Sequence, residues 1–180
     1  MKKLEKRLYT FPHFMLSPMA KGIQTLHSTV ELFNLYVPNP SNNFEVKVPE
    51  NEVPFEILFD WSLNHKTVIS LNPGVSGDME ELIYIFQDQD NFYPWAIFQE
   101  DDYSLKGIVT AISIVLTEKI YYSASIIRGK DVLFDEISGR FSVNNSSLTL
   151  DEMEIISNYG RFSDFEVELI YTLNKYRLAN

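Results

Sequence analysis

Seven residues, Asp101 to Gly107, separate two runs of strand-forming sequence, Pro94–Glu100 and Ile108–Leu116. A parallel crossover needs a dozen or more residues, so two strands joined by so short a link, if they pair directly, are antiparallel. Upstream, Thr67–Leu71 (TVISL) is apolar and β-branched, as an interior strand is. The turn residues NPGVSGD then lead into a helix from about Met79, whose Met79, Leu82, Ile83 and Phe86 share one face. Strand, helix and strand from Thr67 to Glu100 are long enough for a right-handed parallel crossover. A mixed sheet with helices on both faces follows.

The N-terminal third adds one strand and one long helix. Arg7–Leu16 reads as a strand, irregular because Pro12 cannot donate to a ladder. Ser17 followed by Pro18 is a helix start, a hydroxyl N-cap before proline at the first helical position. Met19, Ile23, Leu26, Val30, Phe33 and Val37 then recur at steps of four and three, which predicts a buried stripe ended by Pro38. Pro38–Pro54 is polar loop around a possible short strand, Phe44–Val48. Phe55–Leu63 is helix-like, with Trp61 expected to pack inward. After Thr117 two late helices are expected, from about Ser147 to Asn158 and from about Ser163 to Arg177.

The fold class expected is therefore α/β, a three-layer α/β/α domain on a four-stranded mixed sheet with a helical C-terminal extension. Its 180 residues fit one domain, residues 1–127, with residues 128–180 as a mostly helical extension packed on it. Apolar residues at 45% are enough for a core, and the absence of cysteine removes disulfides and thiolate chemistry. Lys2, Lys3, Lys6 and Arg7 precede an apolar stretch, but Thr10, Pro12 and His13 interrupt it and no small-x-small cleavage site follows. The expected location is cytoplasmic, with no membrane span.

Charge argues against a nucleic-acid surface. The net charge is −10, and no Lys or Arg falls between Thr67 and Leu105, where eight acids do, among them Glu100, Asp101 and Asp102. Such a face repels phosphate backbones rather than releasing their counterions.

Two blocks resemble the type II peptidyl-tRNA hydrolase family. The first, LSPMAKGIQTLHS (Leu16–Ser28), is similar to that family's strand exit and first helix with its Gln-x-x-His-(Ala/Ser) element, here Gln24 and His27. The second runs from Trp61 through TVISL and PWAIFQEDDYSLKGIVTAISIV and resembles the family's strand–helix–strand–acidic loop–strand ending. The resemblance implies Gln24, His27 and a carboxylate among Glu100, Asp101 and Asp102 as catalytic groups, with Lys21 and Thr110 contacting ligand. It implies no cofactor. Where the family carries its helix-start lysine this chain has Ala20. Lys21 lies one residue off, rotated about 100° around the helix. The Gly-Arg-Thr stretch usual after the family's acid is replaced by DDYSLKG.

Three functions stay open. One is a divergent member that binds a protein or small molecule, with hydrolysis reduced or lost. The second is a peptidyl-tRNA ester hydrolase with His27 as base or orienter and Gln24 positioning a water or carbonyl. The third, distant, is a phosphoesterase with paired His-x-Thr elements, suggested by His27-Ser-Thr29 and His65-Lys-Thr67. Against all three stands a bland alternative. Gln24, His27, Glu31 and Asn34 then merely border the core, with Glu31 stabilising a protonated His27, and the three acids are turn chemistry. No His, Asp and Glu spacing suggests a metal, and NPGVSGD lacks the lysine and spacing of a phosphate loop.

Overall fold

Pro12 ends the first strand, β1 (Lys6–Pro12), four residues before the Leu16 expected from the apolar run. In the computed structural model, residues 5–37, 53–101, 103, 106–130, 132–135, 138–143 and 148–178 are described. The expected strand Phe44–Val48 lies outside the described residues. After a turn, Ser17 caps α1 (Pro18–Tyr36), its hydroxyl accepting from the Ala20 amide at 3.2 Å. Next come α2 (Val53–Asp60), continued by a π-helical turn over Trp61–His65, and β2 (Thr67–Asn72). Trp61 is buried as expected, and its indole donates to the Thr67 carbonyl at 3.0 Å. Then follow α3 (Ser76–Phe86), β3 (Trp95–Gln99) and β4 (Val109–Thr117).

The four strands form one mixed sheet in the order β3-β4-β1-β2, extended past β2 by the two-residue β7 (Arg177–Leu178). β1 and β2 are parallel, with Arg7 opposite Thr67 and Thr10 opposite Ser70. β3 and β4 are antiparallel, as the seven-residue link requires. In this pair Phe98 opposes Ala111 and Gln99 opposes Val109, so Thr110 is the extra residue of a β-bulge.

Helices cover both sheet faces. On one, Phe11 of β1 and Trp95 of β3 each meet Phe86 of α3, with ring centroids 6.0 and 5.9 Å apart. Leu82, Ile112 and Ile114 are fully buried, each contributing about 1.5–3 kcal/mol of transfer free energy. The start of α3 depends on Gly74, whose φ of +89° suits a residue without Cβ. A Cβ there would lie 2.3 Å from Asp78 Oδ2, the oxygen that accepts the Val75 amide and caps α3.

On the other face lies α1, turned opposite to the expected orientation. Its buried residues are Ser28 and Leu32, whereas Met19, Ile23, Leu26 and Val30 are exposed. The reason is polar pairing. Ser28 Oγ sits 2.7 Å from Ser113 Oγ, and Thr25 reaches Thr10 at 3.4 Å, so the serine and threonine side of the helix finds partners on the sheet.

The chain divides into two compact units, the sheet unit (Glu5–Leu116 with the C-terminal residues from Arg177) and a second spanning Thr117–Tyr176. The second contains α4 (Glu118–Ile127), the antiparallel hairpin β5–β6 (Val132–Asp135, Arg140–Val143), α5 (Leu150–Asn158) and α6 (Asp164–Lys175). Thr149 with Glu152 and Ser163 with Glu166 form capping boxes at the two late helices, close to their expected starts. Phe165, Leu169, Ile170 and Leu173 of α6 are buried, and Lys119 of α4 pairs with the buried Glu166. Among the described residues no helix is long and apolar enough to cross a membrane.

Candidate functional site

The Thr110 bulge sets the site. Without it, residues an odd number apart on β4 would face opposite ways. With it, both Thr110 and Ser113 reach α1, through Gln24 and Ser28 respectively. The Gln24 amide is thereby held at both ends. Its oxygen accepts the Thr110 hydroxyl at 3.2 Å, and its nitrogen donates to Glu100 Oε1 at 2.7 Å. The three residues come from α1, the end of β3 and the start of β4. Each of the two contacts bridges more than seventy positions of sequence.

Of the expected site residues, Gln24, Glu100 and Thr110 converge. His27 stands one turn further along α1, exposed, with its ring edge-on to Phe98 at 4.5 Å between centroids. Among the described residues its imidazole takes part in no hydrogen bond. Glu31 does not pair with it but accepts from the Asn34 amide at 3.4 Å. Lys21 lies over the Phe14 ring, 5.7 Å from its centroid. Asp101 is exposed and its carboxylate accepts the Tyr103 amide at 2.9 Å, a turn contact. Asp102 lies outside the described residues.

Phe98 is the residue that reading the sequence passed over. The signal for it is the period of two along a strand, which sets Phe98 and Glu100 on the same side. His13, the residue after β1, borders the site. Its backbone N–H donates to the Thr110 carbonyl at 2.9 Å, and its Nδ1 accepts the Met15 amide at 3.2 Å. A neutral ring then carries its proton on Nε2 and donates it to Ser76 Oγ, 3.1 Å away. In that tautomer it cannot take a proton from Ser76, so the pair is a structural link between β1 and α3. His65, the other half of the His-x-Thr pair, ends the π-helical turn beside Asp60, 3.7 Å away. His27 and His65 thus both lie on helical segments rather than on strands.

Chemically the cluster offers an amide, a hydroxyl and a half-buried carboxylate, with an imidazole on its rim. At the far end of α1 burial pushes the Tyr36 phenol up, and its hydroxyl donates to the Trp95 carbonyl at 3.3 Å. Among the described residues no three His, Asp or Glu side chains gather as metal ligands would. No family model matches the chain, and no match to it is found among curated proteins.

Proposed function

We propose that this chain is a divergent relative of the type II peptidyl-tRNA hydrolases, acting in the cytoplasm as a binding or regulatory module in which peptidyl-tRNA cleavage is weak or lost. The observation that carries this reading is the state of Gln24, whose amide is engaged at both ends by Glu100 and Thr110. The family's lysine position is Ala20, and the nearest alternative, Lys21, lies against Phe14. A phosphate approaching to within about 4–6 Å of Glu100 would meet a repulsion of roughly 3–4 kcal/mol at surface-like dielectric, and about 1 kcal/mol if fully solvated. A ligand with hydrogen-bond donors, such as an amine or amide of a protein or small molecule, fits the carboxylate better.

The hydrolase reading keeps one specific support. Gln24, Glu100 and Thr110, three of the residues that the resemblance implicates, lie in one cluster with His27 a turn away. In that reading a water between His27 and Glu100 would attack the ester, and the Thr110–Gln24 pair would hold its carbonyl. Turnover of peptidyl-tRNA by the intact chain, measured with tRNA binding across a salt series, separates the two. The binding-module reading expects turnover near background and no steep salt dependence. Robust turnover that collapses in Gln24→Ala and His27→Ala, with the fold retained, would replace it with the hydrolase.

A further inference from the structure

The outward face of α1 is apolar where a surface helix is ordinarily polar. Met19 is 78% exposed, Ile23 47%, Leu26 61% and Val30 47%, and Met15, in the turn that precedes the helix, is 74% exposed. The opposite side of the same helix buries Ser28 against Ser113 and sets Thr25 against Thr10. A helix that turns hydroxyls inward and methionine, isoleucine, leucine and valine outward has an apolar stripe that its own unit does not use.

The spacing says what kind of surface fits it. Residues 19, 23, 26 and 30 follow steps of four, three and four, the seam of a two-stranded helical pair. The positions flanking that seam are Ala20, Gly22, His27 and Thr29, and none carries a fixed charge. Small residues at 20 and 22 also let a second helix approach closely. Charge favours the same surface, because the chain carries a net charge of −10, with 25 acids against 15 Lys and Arg, yet residues 6–30 contain no acid. In area, the four exposed seam side chains offer on the order of 400 Å² per copy, about half of the roughly 800 Å² that each partner gives to a standard interface, and the flanking positions must supply the rest.

We propose that the α1 stripe is a homodimer interface, in which a second copy of this chain seats its own α1 against the first across a two-fold axis. The contact is isologous, so each Leu26 lies within about one helical turn of its counterpart whether the helices run parallel or antiparallel. His27 flanks the seam, which places the interface beside the Gln24–Glu100 cluster.

Sedimentation of the full chain at tens of micromolar measures its mass directly, and a dimer is expected. Leu26→Glu, at an exposed position where glutamate is a good helix former, should leave the circular dichroism of the folded chain unchanged. It should weaken the dimer roughly tenfold or more by burying an unpaired charge. The absence of cysteine gives a second readout that does not depend on that variant. Leu26→Cys should cross-link to a covalent dimer under mild oxidation, whereas Tyr84→Cys, at an exposed position on α3, should not. A monomeric wild type overturns the proposal and leaves the stripe to a partner of another sequence. A dimer untouched by Leu26→Glu, or cross-linking equal at the two cysteines, overturns it as well.

Discussion

The Gln24 side-chain nitrogen lies 2.7 Å from Glu100 Oε1, while the oxygen of the same amide takes the Thr110 hydroxyl at 3.2 Å. The amide is a bridge between the end of β3 and the start of β4, and its two ends are chemically distinct. Removing it leaves a carboxylate and a hydroxyl without the partner that joined them.

A double-mutant cycle on Gln24→Ala and Glu100→Ala should therefore show coupling. A hydrogen bond to a carboxylate is worth about 1.5–3 kcal/mol in a buried setting. Both partners are half-exposed here, so solvent screening reduces the expected coupling to about 1 kcal/mol. Urea denaturation of the four proteins measures it. A coupling below about 0.3 kcal/mol, the scatter of independent sites, would mean that the contact contributes nothing to folding.

The buried Ser28–Ser113 pair makes an asymmetric prediction. Ser28 donates to the Thr25 carbonyl at 3.1 Å, so the 2.7 Å bond between the hydroxyls takes its proton from Ser113. Ser28→Ala strands a buried Ser113 donor and should cost about 1–3 kcal/mol. Ser113→Ala leaves Ser28 its donation to Thr25 and should cost about 1 kcal/mol or less. The double variant should be no worse than Ser28→Ala alone. Equal costs for the two single variants, by chemical denaturation, would reverse this assignment of the proton.

Those serines also explain what the sequence could and could not disclose. Strand–helix–strand–short link–strand was legible because connection length and β-branched runs depend only on local chemistry. The helix start at Ser17 was marked by its capping residue for the same reason, whereas the late helices were placed only approximately, from about Ser147 and Ser163, and their caps at Thr149 and Ser163 emerge from the structure. The inward face of α1 was not legible. Periodicity identified an apolar stripe correctly but not what it faces, and that depended on Thr10 and Ser113, hydroxyls of distant strands. The Thr110 bulge was invisible for a related reason, since nothing in VTAISIVL announces a register shift. Gln24, Glu100 and Thr110 could be nominated by resemblance, whereas Phe98 required knowing the strand's facing. The helix α4 and the hairpin β5–β6 went unread, α4 because its apolar residues directly continue those of β4.

Alkaline pH should destabilise the second unit through Tyr159. Burial pushes its phenol up to about 12, and the nearby Glu118 and Tyr122 add to the effect. The folded group therefore holds its proton through a range in which the unfolded tyrosine, near 10, loses it. The unfolded state binds fewer protons there, so stability falls as pH rises from about 10 towards 12. Tyr171, also raised by burial, acts in the same direction. Tyr159→Phe should move the alkaline unfolding midpoint upward, as followed by circular dichroism alongside phenolate absorbance. An unchanged midpoint would show that other groups govern alkaline unfolding.

The last prediction restores a charge. Ala20 occupies the third helical position of α1, where its backbone amide is already satisfied by Ser17 Oγ, so its side chain is free to change without disturbing the cap. A lysine at a helix N-terminus opposes the dipole and should cost about 0.3–1 kcal/mol, small enough for the fold to persist. On the binding-module reading this is the position whose missing ammonium keeps phosphate away. Ala20→Lys should then strengthen tRNA binding and make its affinity fall more steeply with salt, by roughly one further unit of log–log slope for each additional phosphate neutralised. Turnover of peptidyl-tRNA should rise at least tenfold over wild type if Gln24, Glu100 and His27 still suffice for the chemistry, a lowering of about 1.4 kcal/mol in the barrier. Stronger binding without turnover would leave the lost activity to the cluster itself, where Gln24 is already engaged by Glu100 and Thr110. No change in either quantity would show that position 20 is not where this surface rejects RNA, and would remove the lysine argument from the case for a binding module.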